Sequence, residues 1–197
     1  TMVADALIYY YKRELDSSAG IFVVDKIIRK VNEDNAQIYG ITGYMNGEKA
    51  EYDVEDGSIL TANGRIARGS VIRLSTKSNG IVDSIQHLYS ADGTGELKNA
   101  EHEYKTGYSA VPCNYSFRVV LGSCVEKEGT YMRFKFKDNV SKNELFNLSG
   151  CRVYVYDKSE DTVSVGNALD IYDYETYGSA HDELIVCTRA AITSDII

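Results

Sequence analysis

Tryptophan is absent, proline occurs once, and no apolar run approaches the length of a bilayer-crossing helix, which takes roughly 20 residues. The longest candidate, Ala6 to Tyr11, ends at Lys12 and Arg13, so no membrane insertion is expected. Basic residues are also in short supply: 21 Lys and Arg stand against 29 Asp and Glu, a formal charge of −8. Such a balance repels phosphate backbones and anionic headgroups, and the expectation is that nucleic acid is not a partner. Thr1 precedes Met2 without a leader pattern, as in a processed chain or a segment of a longer protein.

Chemistry-bearing patterns are equally scarce. The four cysteines, Cys113, Cys124, Cys151 and Cys187, contain no CxxC or Cys/His zinc spacing. The apolar or alternating surroundings of Cys124, Cys151 and Cys187 point to small core hydrophobes, with a disulfide left open. Three histidines, His87, His102 and His181, read as exposed and solvated, and no GxSxG elbow accompanies them. Ala91-Asp92-Gly93-Thr94-Gly95-Glu96 lacks the Lys and helix of a phosphate-cradling loop. The acidic turns Asp53, Glu55, Asp56 and Asp157, Glu160, Asp161 do not follow EF-hand spacing. No enzyme activity, cofactor or metal is expected on these grounds.

What the sequence does have is β-forming material. Hydrophobic residues make up 44% of the chain and charged residues 25%, enough apolar surface to offset the entropy of ordering it. Tyrosine reaches 16 copies, and aromatics suit a pleated, half-buried surface. Asn46-Gly47 separates Ile41 to Met45 from Glu48 to Val54; both turn residues tolerate positive φ, which predicts a hairpin. Asn79-Gly80 does the same between Ser70 to Leu74 and Ile81 to Leu88. Lys127-Glu128-Gly129 separates Tyr115 to Val125 from Tyr131 to Lys137. Cys151 to Tyr156 alternates as a half-buried strand, and Glu183 to Arg189 with Ile192 to Ile197 reads as a closing pair.

About five short strands per half predict an all-β chain: two tandem small OB/SH3-like β-barrels joined by a short, partly helical linker. The expected division is an N-terminal arm or edge strand over 1–20, a first barrel over 21–90, a linker over 91–112 and a second barrel over 113–197. Within the linker, Glu96 to Tyr104 is the candidate helix. Each half ends on a hairpin of similar form, which suggests duplication of one barrel.

The strings Ile41-Thr42-Gly43-Tyr44-Met45-Asn46-Gly47-Glu48, Gly69 to Leu74 with Gly80 to Ile85, and Val153 to Asp157 with Val165-Gly166 resemble β-rich C-terminal modules of clostridial cell-surface proteins that carry S-layer homology domains, and similar bacteriophage structural proteins. The resemblance implies a non-catalytic structural or display role at the extracellular cell surface or in a virion, through contacts with other protein subunits or with copies of the same chain. It supplies no functional residues. The presence of cysteine departs from the surface-layer pattern and favours the virion or intracellular-assembly placement.

Two tyrosine clusters are the candidate interface residues: Tyr9, Tyr10 and Tyr11, and Tyr172, Tyr174 and Tyr177. Tyr offers rigid contact area with a polar tip, suited to protein interfaces and to sugar stacking, so a glycan- or ligand-binding module is the alternative function. An arm bearing Tyr9 to Tyr11 could add a strand to a neighbour. Tyr131, Arg133, Lys135 and Lys137 form the one cationic strand, read as a solvated face.

Overall fold

The computed structural model describes residues 6–10, 20–62, 64–91, 96–97, 117–137, 141, 143–173 and 183–189. The fold is all-β, its strands arranged in two sheets, and the described residues contain no α-helix. A six-stranded sheet comprises β2 (Gly20–Val31), β3 (Gln37–Met45), β4 (Glu48–Val54), β5 (Val71–Thr76), β6 (Val82–Ser90) and β7 (Glu96–Leu97), in the order β4-β3-β2-β5-β6-β7. A seven-stranded sheet comprises β1 (Ala6–Tyr10), β8 (Phe117–Glu128), β9 (Tyr131–Phe136), β10 (Asn143–Asn147), β11 (Arg152–Asp157), β12 (Thr162–Gly166) and β13 (Glu183–Arg189), in the order β10-β9-β8-β13-β1-β11-β12.

Each sheet is organised around one strand of 12 residues, β2 or β8, and each of these is interrupted by a bulge. In β2 the register with β3 shifts between Val24 and Lys26, leaving Asp25 as the extra residue. In β8 the register with β9 shifts between Cys124 and Glu126, leaving Val125 extra. A bulge bends the strand and raises its twist, which lets one long strand curl a sheet towards closure. A glycine lies close to each bulge: a Cβ on Gly43 would sit 2.1 Å from the Val23 carbonyl oxygen, and one on Gly122 would sit 2.0 Å from that of Lys135. A phenyl ring covers the gap in both cases, Phe22 over Gly43 and Phe134 over Gly122. The echo between the halves is therefore strongest in their long bulged strands.

Three apolar clusters follow from this layout. One face of the first sheet buries Phe22, Val24, Ile41, Val54, Ile72 and Leu74. One face of the second buries Met132, Phe134, Phe136, Phe146, Val153 and Val186. The third cluster joins the sheets: Ile21, Val23, Val71, Leu88 and Tyr89 pack against Leu121, Tyr154, Tyr156, Ile185 and Cys187. Both faces of β2 are therefore buried over Ile21 to Val24, and both faces of β11 contribute buried side chains. The expectation of a half-buried strand at Cys151 to Tyr156 is corrected here. Val153 faces the second core while Tyr154 and Tyr156 face the joint between the sheets.

Polar contacts reinforce that joint. The Tyr154 hydroxyl accepts a hydrogen bond from the Gly47 N–H at 2.7 Å, so a tyrosine of the second sheet caps the β3–β4 turn of the first. Arg68 donates to the Asp161 carbonyl at 2.7 Å and pairs with the Asp161 carboxylate, while its Nε donates to the Asp25 carbonyl at 2.5 Å. The Asn46-Gly47 turn has positive φ at both residues, 55° and 85°, as the sequence predicts. Gly47→Val is expected to lower stability by about 1–2 kcal/mol, the cost of a side chain in left-handed backbone, read as a shift in the urea midpoint.

Several expectations change in the structure. The 1–20 segment, expected as an arm or edge strand, supplies an interior strand: β1 pairs antiparallel with β11 and parallel with β13. Its sequence ALIYY is a continuous apolar run, the pattern of a strand flanked on both sides within a covered sheet. The neighbours of β13 are β8 and β1; Ile192 to Ile197 lies outside the described residues. Of the expected linker helix, Glu96–Leu97 forms strand β7 against Tyr89 and Ser90, and residues 98–104 lie outside the described residues. His87, expected exposed, is buried, because the run His87 to Ser90 lies where β6 enters the joint and is covered on both faces. His102 and His181 lie outside the described residues.

Candidate functional site

The acidic turns singled out in the sequence are engaged in structure. Asp53 and Glu51 both pair with Lys30 across β2–β3–β4, and the hydrogen bond that Lys30 donates to Asp53 leads in holding the lysine above its ordinary pKa. Asp56 caps the short 3-10 turn Gly57–Leu60 by accepting from the Ser58 N–H, and hydrogen bonding from Ser58 holds its carboxyl below the usual range. Asp157 accepts from the Ser159 hydroxyl at 2.7 Å and from the N–H groups of Ser159 and Glu160, which likewise lower its pKa. Asp161 serves Arg68 and the Tyr156 hydroxyl. Asp56 and Asp157 thus stabilise turns, Asp161 the joint between the sheets, and Asp53 the cross-strand pairing of the first sheet.

The thiols divide in the same way. Cys124 and Cys187 are buried thiols and Cys151 is a half-buried one; Cys113 lies outside the described residues. Burial pushes the Cys151 thiol up to about 11. Since the thiolate is the nucleophile, alkylation of Cys151 by iodoacetamide is expected to stay slow through pH 9 and to rise with a midpoint near 11 in the folded protein. Peptide mass spectrometry against pH checks this; a midpoint near that of an unfolded cysteine would contradict it.

Of the tyrosine clusters, the backbone of Tyr9 and Tyr10 lies within the interior strand β1. The edges of that strand are taken by β11 and β13, so the idea of an arm adding a strand to a neighbouring molecule is corrected. Tyr172 is half-buried after the 3-10 turn Ala168–Asp170, and Tyr11, Tyr174 and Tyr177 lie outside the described residues.

The feature that stands open to solvent is the outer face of β8–β9–β10. Alternation along β9 sends Met132, Phe134 and Phe136 into the second core and Tyr131 and Arg133 outward. The bulge at Val125 shifts the phase of β8 so that Glu126 and Glu128 join this outer face after the buried Cys124. Cross-strand register then sets two rows: Glu126, Arg133 and Leu145, and beside it Glu128, Tyr131 and Asn147. Among the described residues β10 is the end strand of its sheet. Leu145 is 63% exposed and Tyr131 50% exposed, and they sit diagonally next to each other. Together with Glu126, Glu128, Thr130 and Arg133 they line an open groove of about 620 Å³. Arg133 is held by Glu126 at 3.0 Å, whereas Glu128 has no ion-pair partner among the described residues.

No family model matches the chain, and no curated protein does. Solved structures do. One described as a murine DNA binding protein bound with double-stranded DNA is 10% identical, covers 90% of this chain and 99% of its own, and superposes with a TM-score of 0.28. The p204 HINb domain is 12% identical over 80% of this chain and 98% of its own, with a TM-score of 0.27. The Ifi202 HINa domain in complex with 20-base-pair double-stranded DNA is 11% identical over 78% of this chain and 93% of its own, also at 0.27.

The expectation that nucleic acid is not a partner is corrected by this finding, because two of these similar structures hold duplex DNA. Net charge is a sum over the whole chain, so the formal −8 does not by itself exclude a local binding face. At these identities and TM-scores the likeness assigns no partner to this chain.

In the sequence this β8–β9–β10 face shows only as the cationic strand of Tyr131, Arg133, Lys135 and Lys137, a solvated strand face. No sequence signal marks it: the extra residue at Val125 puts Cys124 inward and the half-buried Glu126 outward although they are two apart, a change of phase that only the strand register reveals.

Proposed function

We propose that this chain is a non-catalytic module of a larger assembly, in a bacterial surface layer or a phage particle, acting through protein–protein contacts made by the β8–β9–β10 face. The observation that carries the reading is the pairing of exposed Tyr131 and Leu145 in an open groove on a sheet whose other face is a dense phenylalanine core. A contact surface of this kind combines an aromatic and an aliphatic anchor with a polar rim. The non-catalytic part is supported by the engagement of Asp53, Asp56, Asp157 and Asp161 in turns and ion pairs and by the burial of His87. The surface-layer or virion placement rests on the strand-and-turn strings that resemble such modules.

Photo-crosslinkers placed at Leu145 and at Val31, a residue 67% exposed at the end of β2, test it in the parent particle. Protein adducts are expected at Leu145 and not at Val31. Adducts at neither position, or turnover of ester, phosphoester or glycoside substrates by the highly purified chain, would overturn the reading.

A further inference from the structure

We infer that the groove on the β8–β9–β10 face receives a basic side chain, arginine or lysine, from a partner protein; the inference rests on the protein-contact reading above and names the chemistry of the contact. Its lining holds two carboxylates, Glu126 and Glu128, against one cation, Arg133. Arg133 already occupies Glu126, and Lys135 lies in the row beyond, between Ser123 and Asn143 and outside the groove, so the excess negative charge of the lining is located on Glu128. Glu128 lies directly across from Tyr131 in the register of β8 and β9. Tyr131 in turn is diagonal to Leu145, so the path across the face runs from an aliphatic surface over an aromatic ring to an open carboxylate.

That sequence of surfaces matches a long basic side chain. Its methylene stem covers Leu145, its cationic head lies against the ring of Tyr131, and the charge meets Glu128. An aspartate or glutamate would meet Glu128 as a like charge and leave the excess uncompensated. A neutral apolar side chain would cover Leu145 and Tyr131 but leave the carboxylate without a counter-charge. The pairing of Arg133 with Glu126 in the adjacent row shows that this lattice of side chains accommodates a guanidinium beside a β8 carboxylate. Both β8 carboxylates face the groove only because Val125 is bulged out of the register.

The test uses the whole chain and four capped hexapeptides that differ only at a central position following leucine: Arg, Lys, Gln or Glu. Titration by NMR is expected to move the resonances of Thr130, Tyr131 and Leu145 with the Arg and Lys peptides, with binding at least about tenfold weaker for Gln and weaker still for Glu. Glu128 is exposed at a hairpin end, so Glu128→Lys keeps the fold, and it is expected to invert the order so that the Glu peptide binds best. Equal binding of the Gln and Arg peptides, an order unchanged by Glu128→Lys, absence of any shift, or a single-stranded oligonucleotide moving the same resonances more strongly than the Arg peptide would each overturn the inference. In the parent particle, cross-links at Leu145 that persist in Glu128→Lys would remove the basic side chain while leaving the protein-contact reading standing.

Discussion

Phe134→Ala is expected to destabilise the protein by about 3–5 kcal/mol, the range for deleting a fully enclosed phenyl group when the surroundings relax only in part. Phe134 is 0% exposed and meets Phe136 and Phe146 edge to face at centroid distances of 5.3 and 5.4 Å. Such pairs add to the area they bury, since the positive ring edge lies against the negative face of its neighbour. Phe134 also occupies the space that Gly122 leaves open across β8–β9, so its loss exposes a gap on both sides of the ring. Urea unfolding checks the value through the midpoint at unchanged slope. A loss below about 1 kcal/mol would mean that the second core collapses around the gap, contrary to the close packing drawn here.

The same residue shows how far the sequence could be read. Phe134 and Phe136 alternate with Arg133 and Lys135, so strand β9 and its buried face are legible from period-two patterning alone. The Asn46-Gly47 hairpin was legible because its turn chemistry is local: both residues need positive φ and the residue types supply it. The interior position of β1 was not legible. Ala6 to Tyr10 finds its partners near residues 152–156 and 183–187, and pairing across such separations leaves no short-range pattern. Tyr154 and Tyr156 look like the outward half of an alternating strand until a second sheet covers them. The groove face was hidden for a third reason. One extra residue at Val125 changes which side chains share a face, and a bulge of that kind carries no compositional mark in β8.

The joint between the two sheets is the place where a single backbone change is expected to reach furthest. Gly69 has φ +79°, and a Cβ there would lie 2.4 Å from the Tyr156 ring. Gly69→Val therefore combines left-handed backbone strain, about 1–3 kcal/mol, with overpacking of a closed contact, about 1–3 kcal/mol. The expected loss is about 2–6 kcal/mol. It falls on the joint, because Tyr156 must leave its site among Ile21, Val23, Tyr89 and Ile185, and its hydroxyl must release Asp161, which also holds Arg68. Both sheets contribute to that cluster, so wild-type unfolding should be one cooperative transition, and Gly69→Val should split it into two. Tyrosine emission can follow both sheets, since no tryptophan masks it and Tyr89, Tyr154 and Tyr156 all lie in the joint. The charge-neutralising pair Arg68→Gln and Asp161→Asn removes the ion pair without crowding the ring of Tyr156, and separates the two contributions: it should shift the midpoint slightly and leave one transition. A single transition in Gly69→Val at the wild-type midpoint would show that Tyr156 does not couple the sheets.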